Sequence, residues 1–408
     1  MITPDEALRI ILENVKALPE EEAPLSKAND RVLAQDLVAR ENLPSFDNSA
    51  MDGFAVRSED LTGAGKASPV GLPVQDIFIA GTTKESGLRS RHAIKIMTGA
   101  PVPVGADAIA IKETTRADSD AFVEINHQPD PGDHIRRAGE DVRSGDLLLK
   151  KGVTLRPYEI ALLAAQGLVT LPVIRQPRIK IFATGDELVD PSQDISFGKI
   201  RNSNGPSIVA GLNRWGVEPT DSILVRDNAD ELEGALRIGL MKNDVLIISG
   251  GVSIGDYDHT KAVLEKIGFQ ILFWKVAIKP GKPLLFAKFM QAGQPKYAFG
   301  LPGNPVSALV CLEEFVRVAL ETLKGHKPHY PSYHLKGHVL NSYVKPVNRQ
   351  QYIFCQVQRE NDEFLLSIIR PQGSAMMGMA SRANSLAVAP IGVSHIQTGD
   401  VLSFRWLK

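Results

Sequence analysis

The chain has 408 residues, with 46 basic against 47 acidic side chains, a formal net charge of −1 and 43% hydrophobic residues. That length accommodates roughly two to four domains, and the even charge argues against a nucleic-acid or anionic-membrane partner held by global charge. Two cysteines, Cys311 and Cys355, are too few for a disulfide framework, and no stretch approaches the ~18 apolar residues of a membrane span. A cytoplasmic protein is expected, and any anion site must be local.

The chain starts MITPDEALRIILENVKAL, where Ala7, Leu8, Ile11, Val15 and Leu18 fall at helical spacing behind early acids. This predicts an amphipathic helix and not a secretory signal, which needs a basic start and an unbroken apolar core. From 46 to about 145, short apolar runs such as PVGLPVQDIFIAG and AIAIKET alternate with Gly- and Pro-bearing turns, the texture of a β-rich module. Within it, LTGAGKASP (61–69) lacks the first glycine of a phosphate loop, and Lys66 is followed by Ala67, so a flexible loop is expected there.

Between 178 and 325 the pattern becomes regular. Strand RIKIFATG leads to helix NGPSIVAGLNRWG, then strand SILV, helix ADELEGALRIGLM, strand DVLIISGG and helix TKAVLEKIG. Strand KYAFGLPG and helix PVSALVCLEEFVRVALETL close the series. Such alternation predicts a parallel or mixed sheet covered on both faces, with ligands beyond the carboxyl ends of its strands. His326, His329, His334 and His338 follow in a proline-bearing stretch whose spacing matches no common zinc pattern, which suits a linker. The tail from about 330 has short alternating segments, YIFCQVQ, EFLLSII and SLAVAPI, that suit a small β-barrel.

The strand ends of the α/β region carry the chemistry. IKIFATG delivers Asp186 and Glu187, SILV delivers Arg226 and Asp227, and DVLIISGG delivers Ser253, Asp256 and Asp258. Five carboxylates at one sheet edge repel one another unless a cation or basic groups balance them, and Mg²⁺ takes a few carboxylates beside a substrate phosphate. WKVAIKPGKP supplies Lys275, Lys279 and Lys282; read as a strand, it points Lys275 and Lys279 to one face and at one anion. In GLPGNPVSALV, Asn304 stands at an N-cap and Pro305 at the first helical position, so that helix start would offer N–H groups to a phosphate.

Together FDNSAMDGFAVR (46–57), IMTGAPVPVGADAI (96–109), RRAGEDV (136–142), ATGDEL (183–188), SGGVSIGDYDHTK (249–261), FWKVAIKPGKP (273–283) and GLPGNPVSA (300–308) resemble the molybdopterin molybdenumtransferase family of MoeA and the C-terminal domain of gephyrin. The resemblance implies Mg²⁺-assisted insertion of molybdate into adenylylated molybdopterin with release of AMP. It implies a homodimer whose active site joins the third domain of one subunit to the second of the other. Four domains are implied: an elongated domain I (1–45 plus 143–175), an inserted β-rich domain II (46–142), a molybdopterin-binding-like α/β domain III (176–327) and a β-barrel domain IV (328–408). By motif, the catalytic positions would be Asp52, Thr98, Asp141, Glu187, Asp227, Asp258, Lys275 and Lys279. Substrate and anion binding would fall to Arg136, Arg137, Ser253, Lys282, Asn304, Arg349 and Ser374. Metal binding would fall to Asp186, Glu187, Asp227, Asp256 and Asp258. Some relatives pair an Arg with a second Arg five residues on; here Arg349 is followed at that position by Phe354. A tungstate-inserting paralogue and a molybdopterin carrier or scaffold are the alternatives, and other proteins of cofactor biosynthesis are possible partners.

Overall fold

The computed structural model describes residues 1–252, 259–327 and 330–407, so Ser253, Asp256, Asp258 and His329 lie outside the described residues. The chain divides into two compact units, one of residues 1–22, 30–32 and 172–408, the other of 23–29 and 33–171.

The larger unit is built on a six-stranded sheet in the order Asp221–Val225, Ile179–Thr184, Val245–Ser249, Gln294–Leu301, Leu285–Gln291, Gln270–Trp274. The first four strands are parallel and the last two antiparallel. Strand side chains alternate between faces, and here both faces are buried. Ile179, Ile181, Val245, Ile247, Phe286, Tyr297 and Phe299 pack with the helices Pro4–Asn14, Asn204–Arg214 and the helical stretch from Pro305. Phe182, Leu246, Ile248, Leu285, Ala287 and Ala298 pack with Ala229–Lys242 and His259–Ile267 on the other side. The near-continuous apolar runs of the sequence follow from this double coverage.

The first helix is shorter than its apolar spacing predicts. Thr3 and Glu6 form a capping box at its start, and Ala7, Leu8 and Ile11 are buried. Helical geometry stops at Asn14, whose side-chain amide donates to the Ile10 carbonyl at 2.9 Å, and Val15 is extended yet still buried. The last helical stretch is also interrupted: Pro305–Cys311 and Arg317–Leu323 are joined by a π-helical turn over Leu312–Val316. Such single-turn π segments recur at functional places, and this one presents Glu313 and Glu314 side by side to Arg405.

Arg405 belongs to the C-terminal barrel. Strands Leu335–Val339, Gln350–Glu360, Glu363–Ile368, Ser385–Ala389 and Val401–Trp406 pair in a closed ring, because Gln350–Glu360 also pairs with Ser385–Ala389. Closure leaves no open sheet edge for foreign pairing. Ile353, Cys355 and Val357 point inward among Leu366, Ala387 and Phe404. The alternate residues Tyr352 and Phe354 join the core of the α/β sheet instead, so the barrel docks through one outer face. The short strand Ile278–Lys279 leaves the α/β region and pairs in parallel with this barrel, Ile278 opposite Gln350 and Lys279 opposite Gln351.

The smaller unit holds another six-stranded sheet, in the order Ala108–Ile111, Gly53–Val56, Ala93–Ile96, Val70–Phe78, Phe122–Ile125, Thr115–Ser119. Phe54, Val56 and Ala110 face one core, Ala55, Ile94 and Ile109 the other. Gly53 is required by close approach: a Cβ there would lie 2.1 Å from the Ala110 carbonyl oxygen. That accounts for the glycine after Asp52. Among the described residues, no helix is long and apolar enough to cross a membrane.

Candidate functional site

A cavity of about 730 Å³ opens at the carboxyl ends of the parallel strands, lined by Thr184, Gly185, Glu187, Asn204, Asp227 and the Gly250–Gly251 pair, among others. Gly185 has φ +150°, and a side chain there would collide with the Glu187 carboxylate at 2.6 Å, so only glycine lets that acid fold back over the strand end. Asp186 spends a carboxylate oxygen on the Asp227 backbone N–H at 3.1 Å, tying the two acidic strand ends together. Asn204 donates to Ser249 Oγ at 2.7 Å and to the Gly303 carbonyl at 2.8 Å. Its amide oxygen, and the Thr184 hydroxyl, are buried without a partner. A cavity with unmet hydrogen-bonding groups in its wall suits a ligand or waters that can supply their partners.

A second cavity of about 270 Å³ adjoins it; Pro283, Pro302 and Asn304 line both. Lys279, Lys282 and Arg349 face it together with Ser374, Gln351 and Tyr352, and its lining contains no carboxylate among the described residues. Burial, and then the Arg349 guanidinium, hold the Lys279 ammonium below the usual lysine range. Cations crowded in this way without an acid favour an anionic ligand. The turn that brings Lys279 and Lys282 together depends on Gly281, at φ +110°, where a Cβ would meet Cys311 Sγ at 2.7 Å. Gln372 fixes the opposite wall: its amide donates to the Phe354 and Ile369 carbonyls at 2.8 and 2.6 Å and accepts from the Phe354 N–H.

Two expectations change. Lys275 and Lys279 do not share a strand face, because Lys275 takes φ +73° and the strand ends at Trp274. The Lys275 ammonium lies 3.7 Å from the centre of the Trp274 ring, a cation–π contact, and is absent from the lining of either cavity, while Lys279 reaches the smaller one. The helix after Asn304 does not offer its first N–H groups to a phosphate. Asn304 makes no capping bond, and the Val306 and Ser307 N–H groups donate to the Ser374 carbonyl at 3.0 and 3.4 Å. Asn304 instead donates to the Ser374 hydroxyl at 3.2 Å. Asn304 and Ser374 therefore contribute through side chains in the cavity wall.

In the smaller unit, Asp52 accepts both the Thr98 N–H and the Thr98 hydroxyl at 2.8 Å. These two bonds, the backbone one first, hold the Asp52 carboxyl below the usual carboxylate range. Asp52 borders a cavity of about 540 Å³ with Lys95 and Lys112. Arg137 pairs with Asp47 at 2.7 Å, whereas Arg136 and Asp141 are exposed. Replacing Thr98 with valine removes the hydroxyl but keeps the N–H. An NMR titration is expected to show the Asp52 pKa rising toward its ordinary value without reaching it; an unmoved pKa would make the hydroxyl irrelevant.

Both cysteines are buried and unpaired, and burial pushes the thiols up, Cys355 to about 12, so neither offers a thiolate at neutral pH. Among the described residues, no group of three or more His, Cys, Asp or Glu side chains is placed to hold a metal ion. Sequence reading missed Gln351, Gln372, Asn204 and Ser249. The polar run RNSNGP before a helix is the one signal that marks Asn204.

An α/β sheet with a cavity at its carboxyl edge and a docked barrel places the protein among molybdopterin-binding proteins: residues 180–322 match the model described as a probable molybdopterin binding domain, and 2–167 match the MoeA N-terminal region (domain I and II). Molybdopterin molybdenumtransferases from Haemophilus influenzae and Bacillus subtilis are 35% and 34% identical to it, each across 99% of this chain and covering 98% and 94% of their own. A crystal structure of the molybdopterin biosynthesis protein MoeA from Pyrococcus horikoshii superposes with a TM-score of 0.80 at 28% identity, covering 99% of this chain and 98% of that one. The chain belongs to the molybdopterin molybdenumtransferase family.

Proposed function

We propose that this protein inserts molybdate into adenylylated molybdopterin and releases AMP. The observation that carries this reading is the pairing of two adjoining cavities, one lined, among the described residues, by three cations and no carboxylate, the other larger and bordered, among the described residues, by Glu187 and Asp227. The smaller suits a tetrahedral oxyanion, held by Lys279, Lys282, the Arg349 guanidinium and the Ser374 hydroxyl. The larger, at the sheet edge where such folds bind ligands, suits the organic substrate. Pro283, Pro302 and Asn304 border both spaces, so metal and dithiolene can meet there without a protein nucleophile; positioning and charge supply the catalysis.

Mg²⁺ fits this site by its donor set. Glu187 and Asp227 line the larger cavity, and Mg²⁺ commonly takes one or two carboxylates with the rest of its shell from water and phosphate. Bound there, it would shield the phosphoanhydride charge and polarise its oxygens. Asp186 orients Asp227 through the backbone bond already described. The reading extends to Asp52, Thr98, Arg136, Arg137 and Asp141 as a second contribution from a partner copy in a homodimer, to the four-domain division, and to a cytoplasmic location.

The test is AMP release from adenylylated molybdopterin, with and without Mg²⁺, in the presence of molybdate, tungstate or neither. Release that needs an oxyanion supports the transferase, and the better oxyanion names the metal. Release without one indicates a hydrolase; binding without release indicates a carrier.

A further inference from the structure

Lys345 is 4% exposed, and its ammonium donates to three backbone carbonyls, those of Pro346 at 3.0 Å, Pro390 at 3.0 Å and Val393 at 2.6 Å. No carboxylate pairs with it in that set. A buried ammonium held only by carbonyl dipoles keeps its charge without neutralising it. The same segment is tied by backbone bonds: Lys345 N–H donates to the Ser394 carbonyl and Gly392 N–H to the Val347 carbonyl, both at 2.8 Å.

Four residues on stands Arg349, followed at once by the strand that pairs with Ile278–Lys279, where the Gln350 N–H donates to the Ala277 carbonyl at 2.9 Å. The loop bearing Arg349 is thus clamped at both ends, by the Lys345 ammonium on the barrel side and by the Lys279 strand on the cavity side. We propose that Lys345 is a positioning residue for the oxyanion site, which fixes the Arg349 loop against the 390–394 turn. This rests on the reading of the smaller cavity as the oxyanion site.

Charge supports the geometry. The Lys345 ammonium is held below the usual lysine range, first by burial and then by Lys279, and Lys279 is held low by burial and then by Arg349. The other titratable groups bordering the cavity are Lys282 and Tyr352, with Glu314 acting on Tyr352 from the helix side. A dianion entering this field meets cations that gain by its arrival.

The experiment measures tungstate and molybdate binding to the full-length protein by calorimetry from pH 7 to pH 10, for wild type, Lys345→Met and Lys345→Gln. The Gln amide still donates to the carbonyls, so this variant keeps the loop clasp if the Met variant does not fold. Thermal melts accompany each. Lys345→Met is expected to bind oxyanion roughly tenfold more weakly at pH 7, with Lys345→Gln restoring affinity to within a few fold of wild type. A lysine that only stabilised the barrel would lower the melting temperature and leave the affinity of both variants within about twofold; that outcome overturns the proposal. Oxyanion binding absent from wild type would overturn the cavity reading, and the role of Lys345 with it.

Discussion

Lys279→Met should reduce oxyanion-dependent AMP release, as kcat/KM for molybdate, by about a hundredfold or more. Lys279 is the cation that the strand pairing with the barrel sets in the cavity wall, next to Arg349. Methionine preserves its length and removes its charge. Because Lys279 is partly exposed, the fold should tolerate the change. The pH dependence has a definite sign. The protonated ammonium binds the anion, and its pKa lies below the ordinary 10.5 through burial and Arg349. Oxyanion binding by wild type is therefore complete at neutral pH and lost as pH rises through that lowered value, earlier than a free lysine would titrate. Bound dianion raises the pKa again, so binding takes up protons in the same window. Steady-state kinetics across pH, with calorimetry in two buffers of different ionisation enthalpy, check both statements. Retained oxyanion dependence within a few fold would remove Lys279 from the site.

Arg405→Met carries the largest expected loss of stability. Arg405 donates through Nη2 and Nε to Glu314 at 2.8 and 3.2 Å and also pairs with Glu313, and Glu314 is 1% exposed. Removing one partner of a buried ion pair leaves the other charge uncompensated, at about 3–5 kcal/mol. Burial already pushes the Glu314 carboxyl up, with Arg405 opposing; without Arg405 it should rise further. A carboxyl whose folded pKa exceeds its unfolded value is neutral and tolerated at acid pH, and its cost grows as pH rises from the unfolded value toward the folded one. The variant should therefore be least impaired near pH 4–5 and most impaired at neutral pH. Chemical denaturation at both pH values measures this; an equal loss at both would mean that packing of the guanidinium, and not its charge, holds the barrel to the helix.

The fold was largely legible because its signals are local. Runs such as DVLIISGG are apolar throughout since Val245 and Ile247 face one helix layer and Leu246 and Ile248 the other. Glu187 and Asp227 could likewise be placed at the strand ends, since a strand carries its next residues to a known edge. Long-range features were not legible in this way. Arg349 and Ser374 came from resemblance alone; what brings them to Lys279 is the docking of a barrel some 70–100 residues further along. Gln372 and Lys345 act on backbone carbonyls, which leave no mark in residue spacing. The shared face expected for Lys275 and Lys279 failed on one dihedral angle: nothing in WKVAIKP announces a lysine in the left-handed region.

The parallel pairing of Ile278–Lys279 with Gln350–Gln351 makes the smaller, cationic cavity a joint property of two folding elements. Neither the α/β sheet nor the barrel contains the whole wall, so the cavity exists only with the two packed together. Its occupant then binds only the docked state and stabilises docking by RT ln(1 + [L]/Kd), about 2.7 kcal/mol at a hundredfold excess over Kd. An anion bound there would in this sense act as a latch, stabilising the packed arrangement in which the second cavity has its shared wall of Pro283, Pro302 and Asn304 in place.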